Sequence, residues 1–232
     1  MLRRLALSAL VCSTVVTGGC LSVASFQTAD TNGRGNLQMS LEGSRFGLRS
    51  GNDNVHLGVP VFNVAGRYGV TDDLDVGARV GMSGMEFMAK KRLFGKPGEL
   101  SVALAPSVGG FPLGSTSLLM GQLPVLIGIP LGPHQLVLSP KLQFYQVSDS
   151  DSSETTASGA VSVSSATLFN VGTGVGFSLK VGDNFRILPE VSIVYPVLGA
   201  NDSNNGPSST VDLTKTNGAI YQAGVAFLFG GK

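Results

Sequence analysis

His56 and His134 are the only histidines among 232 residues, so acid–base chemistry near neutral pH has few places to reside. Asp53 stands three positions before His56, the one pairing in which a carboxylate could orient an imidazole. No serine is marked as a nucleophile, since Ser44, Ser50 and Ser83 lack any distinguishing context. Asp149, Asp151 and Glu154 are spaced faintly like oxygen donors around calcium. The full Asp-x-Asp-x-Asp-Gly pattern closing on a glutamate is missing, and a hydrated loop is the plainer reading. Gly172-Thr173-Gly174-Val175-Gly176 has the wrong spacing for a dinucleotide fingerprint, and no helical pattern follows it. Cys12 and Cys20 are the only cysteines, which leaves the body of the chain without a disulfide, thiolate zinc site or cysteine nucleophile. The residues therefore give no catalytic set, no metal site and no cofactor.

A second group of chemistry-bearing residues is more coherent. Glu42, Arg67, Asp75, Arg79, Glu86, Lys90, Arg92, Lys141, Lys180, Arg186 and Glu190 all fall on one parity of alternating segments. Near residue 170, Phe169, Val171, Val175, Phe177, Leu179 and Val181 share one parity. Asn170, Gly172, Gly174, Gly176, Ser178 and Lys180 share the other. Successive strand side chains point to opposite faces, so this is an apolar face backed by a small, polar one. The next segment repeats the pattern, with Phe185, Ile187, Val191, Ile193, Tyr195 and Val197 against Arg186, Glu190 and Ser192.

Only 13% of residues are charged and the mean hydropathy is +0.27, whereas soluble domains carry about 25% charge. Beyond Val16 no apolar run is long enough for a membrane helix. A closed barrel is the other way to cross lipid, because it pairs every backbone donor and acceptor internally. The expected fold is all-β, a single antiparallel transmembrane β-barrel of about ten strands, with eight or twelve as alternatives. The strands are placed at 36–48, 56–70, 74–82, 85–94, 99–110, 117–131, 135–147, 167–181, 184–197 and 217–229. Compact turns at Thr71–Asp73, Gly95–Gly98, Gly132-Pro133 and Gly182-Asp183 alternate with longer polar links at 49–55, 148–165 and 201–216. Ser83-Gly84 is too short for a developed outer loop. An even strand count puts both termini at the turn end. Tryptophan is absent, which leaves Tyr68, Tyr145, Tyr195 and Tyr221 for the aromatic girdles.

The N-terminus reads as an export signal, with Arg3 and Arg4 before an apolar run from Leu5 to Val16. Thr17-Gly18-Gly19-Cys20 resembles a lipobox, which implies cleavage after residue 19 and a lipidated Cys20. Leu21 is not the aspartate that retains such lipoproteins at the inner membrane. Ser22-Val23-Ala24 offers a second cleavage site, after which an unmodified chain begins at Ser25. Loss of residues 1–19 removes two arginines and no acid, leaving 14 basic and 15 acidic residues, a net charge of −1. Nothing in that balance invites nucleic acid.

Gln222, Gly224, Phe227 and Phe229 resemble the C-terminal assembly signal of bacterial outer-membrane β-barrels, although Gly230, Gly231 and Lys232 follow the last aromatic. The chain thus resembles small porin-like outer-membrane barrels as a broad class. That resemblance implies outer-membrane lipids and the barrel assembly machinery as partners, in a Gram-negative outer membrane. The domain organisation expected is a signal peptide at 1–19, a periplasmic linker at 20–35, a barrel at 36–229 and a tail at 230–232. The inward charges, seven basic against four acidic, read either as a salt-bridged plug or as a constriction favouring anions. Lys91 has the wrong parity and belongs near a membrane surface, where it can snorkel. The functional reading is a non-enzymatic barrel, structural or a narrow solute path. The alternatives are a rim enzyme at Asp53 and His56, acting on lipid or peptide, and an adhesion module using the two long loops.

Overall fold

In a computed structural model, the described residues are 22–49, 58–82, 84–113, 116–149, 166–201 and 218–231. They form β1 (Leu37–Arg49), β2 (Val59–Gly69), β3 (Leu74–Gly81), β4 (Gly84–Phe94), β5 (Ser101–Leu104) and β6 (Ser107–Leu113). The second half supplies β7 (Thr116–Leu131), β8 (His134–Leu138), β9 (Lys141–Asp149), β10 (Ala166–Gly182), β11 (Phe185–Asn201) and β12 (Ala219–Gly230). All pairings are antiparallel, and the described residues contain no helix.

The ring closes where β1 pairs with β12 from Gln38↔Gly230 to Arg49↔Ala219. Twelve strands make ten staves, because β5 and β6 run in line between β4 and β7, as β8 and β9 do between β7 and β10. Pro106 and Pro140 mark the two breaks, where the missing N–H interrupts the ladder. Their carbonyls still work across the seam, accepting from Ala89 N and Val125 N. The ten-strand reading of the sequence holds, and each stave starts and ends within a few residues of its expected limits.

Alternation fixes the two faces. Val171, Val175, Val191, Tyr195, Phe227 and Phe229 lie outward, each 41–61% exposed, while Asn170, Ser178, Glu190, Ser192 and Gln222 are buried inward. The outer wall is thus mainly apolar, broken at Arg45, Lys91 and Thr173, with aromatic density from Phe185 packed on Phe227 and Phe229 near the turn end. Tyr145 is a correction to the expected girdle. It is 3% exposed, faces the lumen and donates its hydroxyl to Gln143 Oε1.

The turns at 70–73, 95–100, 132–133 and 183–184 share one end with Asn36 and Gly231, and Arg49, Val59, Asp149, Ala166, Asn201 and Ala219 mark the other, the loop end. Gly95, Gly98 and Gly132 take φ of 82°, 83° and 65° in these turns, a left-handed geometry that glycine adopts without penalty.

Candidate functional site

The lumen is occupied. Ser22 to Asn32 run through it as an extended, non-sheet segment in which every residue but Asp30 is buried. The expectation of a linker below the barrel at 20–35 is corrected for the described part of that range. Eleven residue steps from Ser22 to Gly33 span roughly 36 Å if fully extended, comparable to the ~30 Å core of a bilayer. Within the described residues the segment runs the length of the lumen, from the turn end to the loop end. Thr31 and Asn32 sit at the turn end, bonded to Asp72 O and Asp75. Val23 sits toward the loop end, in a cluster with Phe46, Val61, Met120, Tyr145, Val194 and Ile220.

The physical cause is the inward face of the barrel. Peptide groups inside a closed ring find no strand edge to join, and an unpaired one costs about 1–3 kcal/mol. The inward side chains supply the partners. On the donor side, Val23 N and Ala24 N both donate to Gln222 Oε1, at 2.6 and 2.8 Å. Ser25 N and Phe26 N donate to the two oxygens of Glu190, at 2.9 and 2.6 Å. Ala29 N reaches Gln135 Oε1 and Asn32 N reaches the Asp75 carboxylate.

On the acceptor side, Lys141 Nζ donates to Val23 O at 2.7 Å, Arg79 Nη2 to Ser25 O at 2.7 Å and Arg67 Nη2 to Phe26 O at 3.3 Å. Lys90 Nζ donates to Thr28 O and Asp30 O. Four cations thus cap carbonyls, and acids or amides cap N–H groups. These are the pairings an extended chain presents in turn.

The same side chains neutralise one another. Arg79 lies 2.8 Å from Glu42 and 2.7 Å from Glu86, Arg67 is 3.6 Å from Glu42, Lys90 is 3.1 Å from Asp75 and Lys141 is 3.6 Å from Glu190. Each of these eight groups is at most 4% exposed. Buried charges are tolerated when paired and hydrogen-bonded, as here.

The three remaining bases share the inward parity but lie at the turn-end rim. Arg92 bonds to Asp72 O, Lys180 is exposed beside Asp183, and Arg186 reaches Ser178 Oγ. Among the buried wall charges the balance is therefore four against four, and Asp30 of the segment adds a fifth acid. The expected basic excess does not extend into the lumen. Lys91 lies outside it, half exposed and paired with Asp73 of the adjacent turn.

Apolar contacts alternate with the polar tiers. Ala24 and Phe26 pack with Leu188, Ala226 and Leu228, and Ala29 packs with Ala103, Ala105, Leu126 and Val137. Phe26 is fully buried and holds φ at +47°, the only described non-glycine in the left-handed region. That conformation costs about 1–3 kcal/mol and persists only when its surroundings enforce it. Burying the ring returns an amount of the same order. The lumen beside Ser22, lined by Glu86, Met120, Gln143 and Tyr145, is packed too closely to hold a water molecule.

The C-terminal residues divide between the two faces. Phe227 and Phe229 point outward, 41% and 44% exposed. Gln222 points inward, fully buried, and donates to Ser44 Oγ while accepting from the segment. Gly224 lies against β1, where an added Cβ would stand 2.4 Å from Gly43 O. His134 accepts from Lys180 N in the turn region. Asp53, His56, Ser50, Ser83, Asp151, Glu154 and Cys20 lie outside the described residues.

Sequence reasoning missed Phe26, Gln135 and the whole 22–32 segment. The one signal for them was the set of inward glutamines and apolar residues such as Leu188 and Leu228, which have no purpose facing a wet lumen.

No family model matches the chain, and no curated protein matches it. Among solved structures it is similar to Neisserial surface protein A, with 13% identity, a TM-score of 0.41, and coverage of 83% of this chain and 96% of that one. It is also similar to the translocator domain of the autotransporter NalP from Neisseria meningitidis, at 12% identity, a TM-score of 0.46, and 87% and 90% coverage. The attachment invasion locus protein Ail of Yersinia pestis gives 11% identity, a TM-score of 0.35, and 84% and 99% coverage. The similarity is to small bacterial outer-membrane barrels as a broad class, and the closed ring itself is established by the strand pairings.

Proposed function

We propose that this is a non-enzymatic β-barrel of a Gram-negative outer membrane, whose lumen is held shut by its own residues 22–33. The observation that carries this reading is the pairing of the segment's peptide groups with buried lumen charges, from Val23 at one end to Asn32 at the other. The outward apolar face supports the membrane location, since a charge there would cost about 2–4 kcal/mol at mid-bilayer. The mature protein carries an acyl group on Cys20 when the lipobox-like cleavage is used, and mass spectrometry of the N-terminus decides between that form and one beginning at Ser25.

A structural barrel is favoured over a narrow solute path because, among the described residues, the buried segment 22–32 and its wall partners occupy the lumen. Planar-bilayer recording of the full-length protein tests this. A silent baseline is expected over the voltage range in which open barrels conduct, and steady ohmic openings of the intact chain would refute the closed-lumen reading.

A further inference from the structure

We propose that the lumen is a binding channel for an extended polypeptide main chain carrying one large apolar side chain, and that residues 22–33 are its resident occupant. This rests on the reading of the protein as a barrel closed by that segment. The inference comes from what the wall touches. The six amides of Val23, Ala24, Ser25, Phe26, Ala29 and Asn32 and the five carbonyls of Val23, Ser25, Phe26, Thr28 and Asp30 are each bonded to a wall side chain. Peptide groups are common to every sequence, so these contacts recognise chain direction and extension and leave side chains unread.

Side-chain recognition is densest at Phe26 and Asp30, and Ser25 Oγ, Thr31 Oγ1 and Asn32 Nδ2 add bonds to Glu190, Asp72 O and Arg67 O. The Phe26 ring fills a pocket of Leu188, Ala226 and Leu228, and the Asp30 carboxylate accepts from Ser101 Oγ and Gln135 Nε2, both at 3.1 Å. Gln27 shows the contrast, since its Oε1 is buried without a partner and its amide meets only Met88 Sδ at 3.9 Å. The ligand class is therefore a peptide about ten residues long, oriented with its N-terminus toward the loop end, with an aromatic or large aliphatic residue near its centre. The resident segment competes from a tether, at an effective concentration of the order of millimolar. A second chain is admitted when the resident is displaced or cut away.

Arg34 is exposed in the turn that joins the segment to β1, and a site-specific protease sequence inserted beside it severs the tether while leaving all twelve strands intact. Binding of fluorescent synthetic peptides to the cut protein in detergent is then measured. One peptide carries residues 22–33. A second keeps Ser25, Phe26, Asp30, Thr31 and Asn32 and has alanine elsewhere. A third has proline at positions 23 and 25, which deletes two of the N–H donors.

The first two are expected to bind saturably and within about tenfold of each other, and the third at background. Binding of the first with loss of the second would overturn main-chain recognition, as would equal binding of the third. If the segment stays in place after cutting, full-length Ser25→Pro and Thr28→Ala are compared by bilayer recording. Conductance expected in the first and silence in the second support the proposal, and the reverse refutes it. Openings in the intact uncut protein refute instead the closed-lumen reading beneath it.

Discussion

Glu190→Gln isolates one rung of the lumen with almost no change of shape. The carboxylate accepts Ser25 N at 2.9 Å through Oε1 and Phe26 N at 2.6 Å through Oε2. An amide keeps one oxygen and turns an NH₂ group toward the other donor. One N–H passes from a charged to a neutral acceptor, a loss of about 1 kcal/mol, and the other is left unsatisfied at about 1–3 kcal/mol. Lys141 loses its carboxylate partner at 3.6 Å and keeps Val23 O and Ser192 Oγ, which acts in the same direction. Docking of residues 23–26 should weaken by about 2–4 kcal/mol, or roughly 30- to 1000-fold in the docked equilibrium. Hydrogen exchange resolved at the Ser25 and Phe26 amides reads this directly. Both should exchange faster by a factor in that range, while amides of β1 and β12 keep their protection. Unchanged exchange at Ser25 and Phe26 in a folded barrel would refute the claim that Glu190 holds the segment.

Phe26→Ala empties the pocket formed by Leu188, Ala226 and Leu228 without relieving the left-handed backbone, at a cost of about 3–5 kcal/mol. Intermittent openings in bilayer recordings are expected, and silence identical to wild type would count against the anchor. Gly224→Ala drives a Cβ to 2.4 Å from Gly43 O across the closing seam, and crowding of this kind costs about 1–3 kcal/mol. Refolding into pure detergent should fall, and a normal yield there would assign any defect in cells to signal recognition alone.

The Asp73 carboxyl is held below its ordinary value by the hydrogen bond from Lys91. A depressed folded-state pKa adds stability above the unfolded value that is lost as pH falls through the folded one. The unfolding midpoint should therefore show a small drop below about pH 4 that Asp73→Asn removes. An identical pH profile in that variant would contradict it.

How much of this was readable beforehand depends on which residues report their surroundings locally. From Phe169 to Val181 of β10 the odd positions are apolar except Thr173 and the even ones small or polar, so periodicity of two gives strand and face at once. Most charged residues of β1 to β4 advertise the lumen for the same reason, with Arg45 and Lys91 as the outward exceptions. Ser22 to Asn32 carry no such period. Their conformation is dictated by Glu190, Gln222 and Arg79, residues more than fifty positions away whose placement exists only once the ring has closed. Depth along a strand is equally silent in sequence, which is why Lys180 and Arg186 share parity with Glu190 and yet lie at the rim.

The bonds from Val23 to Gln222 and from Phe26 to Glu190 link positions 199 and 164 residues apart. A ribosome makes the occupant of the lumen at the start of synthesis and its receptor at the end. Until β11 and β12 are present, the segment has no acceptor for the amides of Val23, Ala24, Ser25 and Phe26, and the loop-closure entropy of nearly the whole chain stands between the two halves. The interior can therefore be completed only by a full-length molecule. A chain broken off before Glu190 lacks the carboxylate that Ser25 N, Phe26 N and Lys141 share, and leaves those groups without their partner.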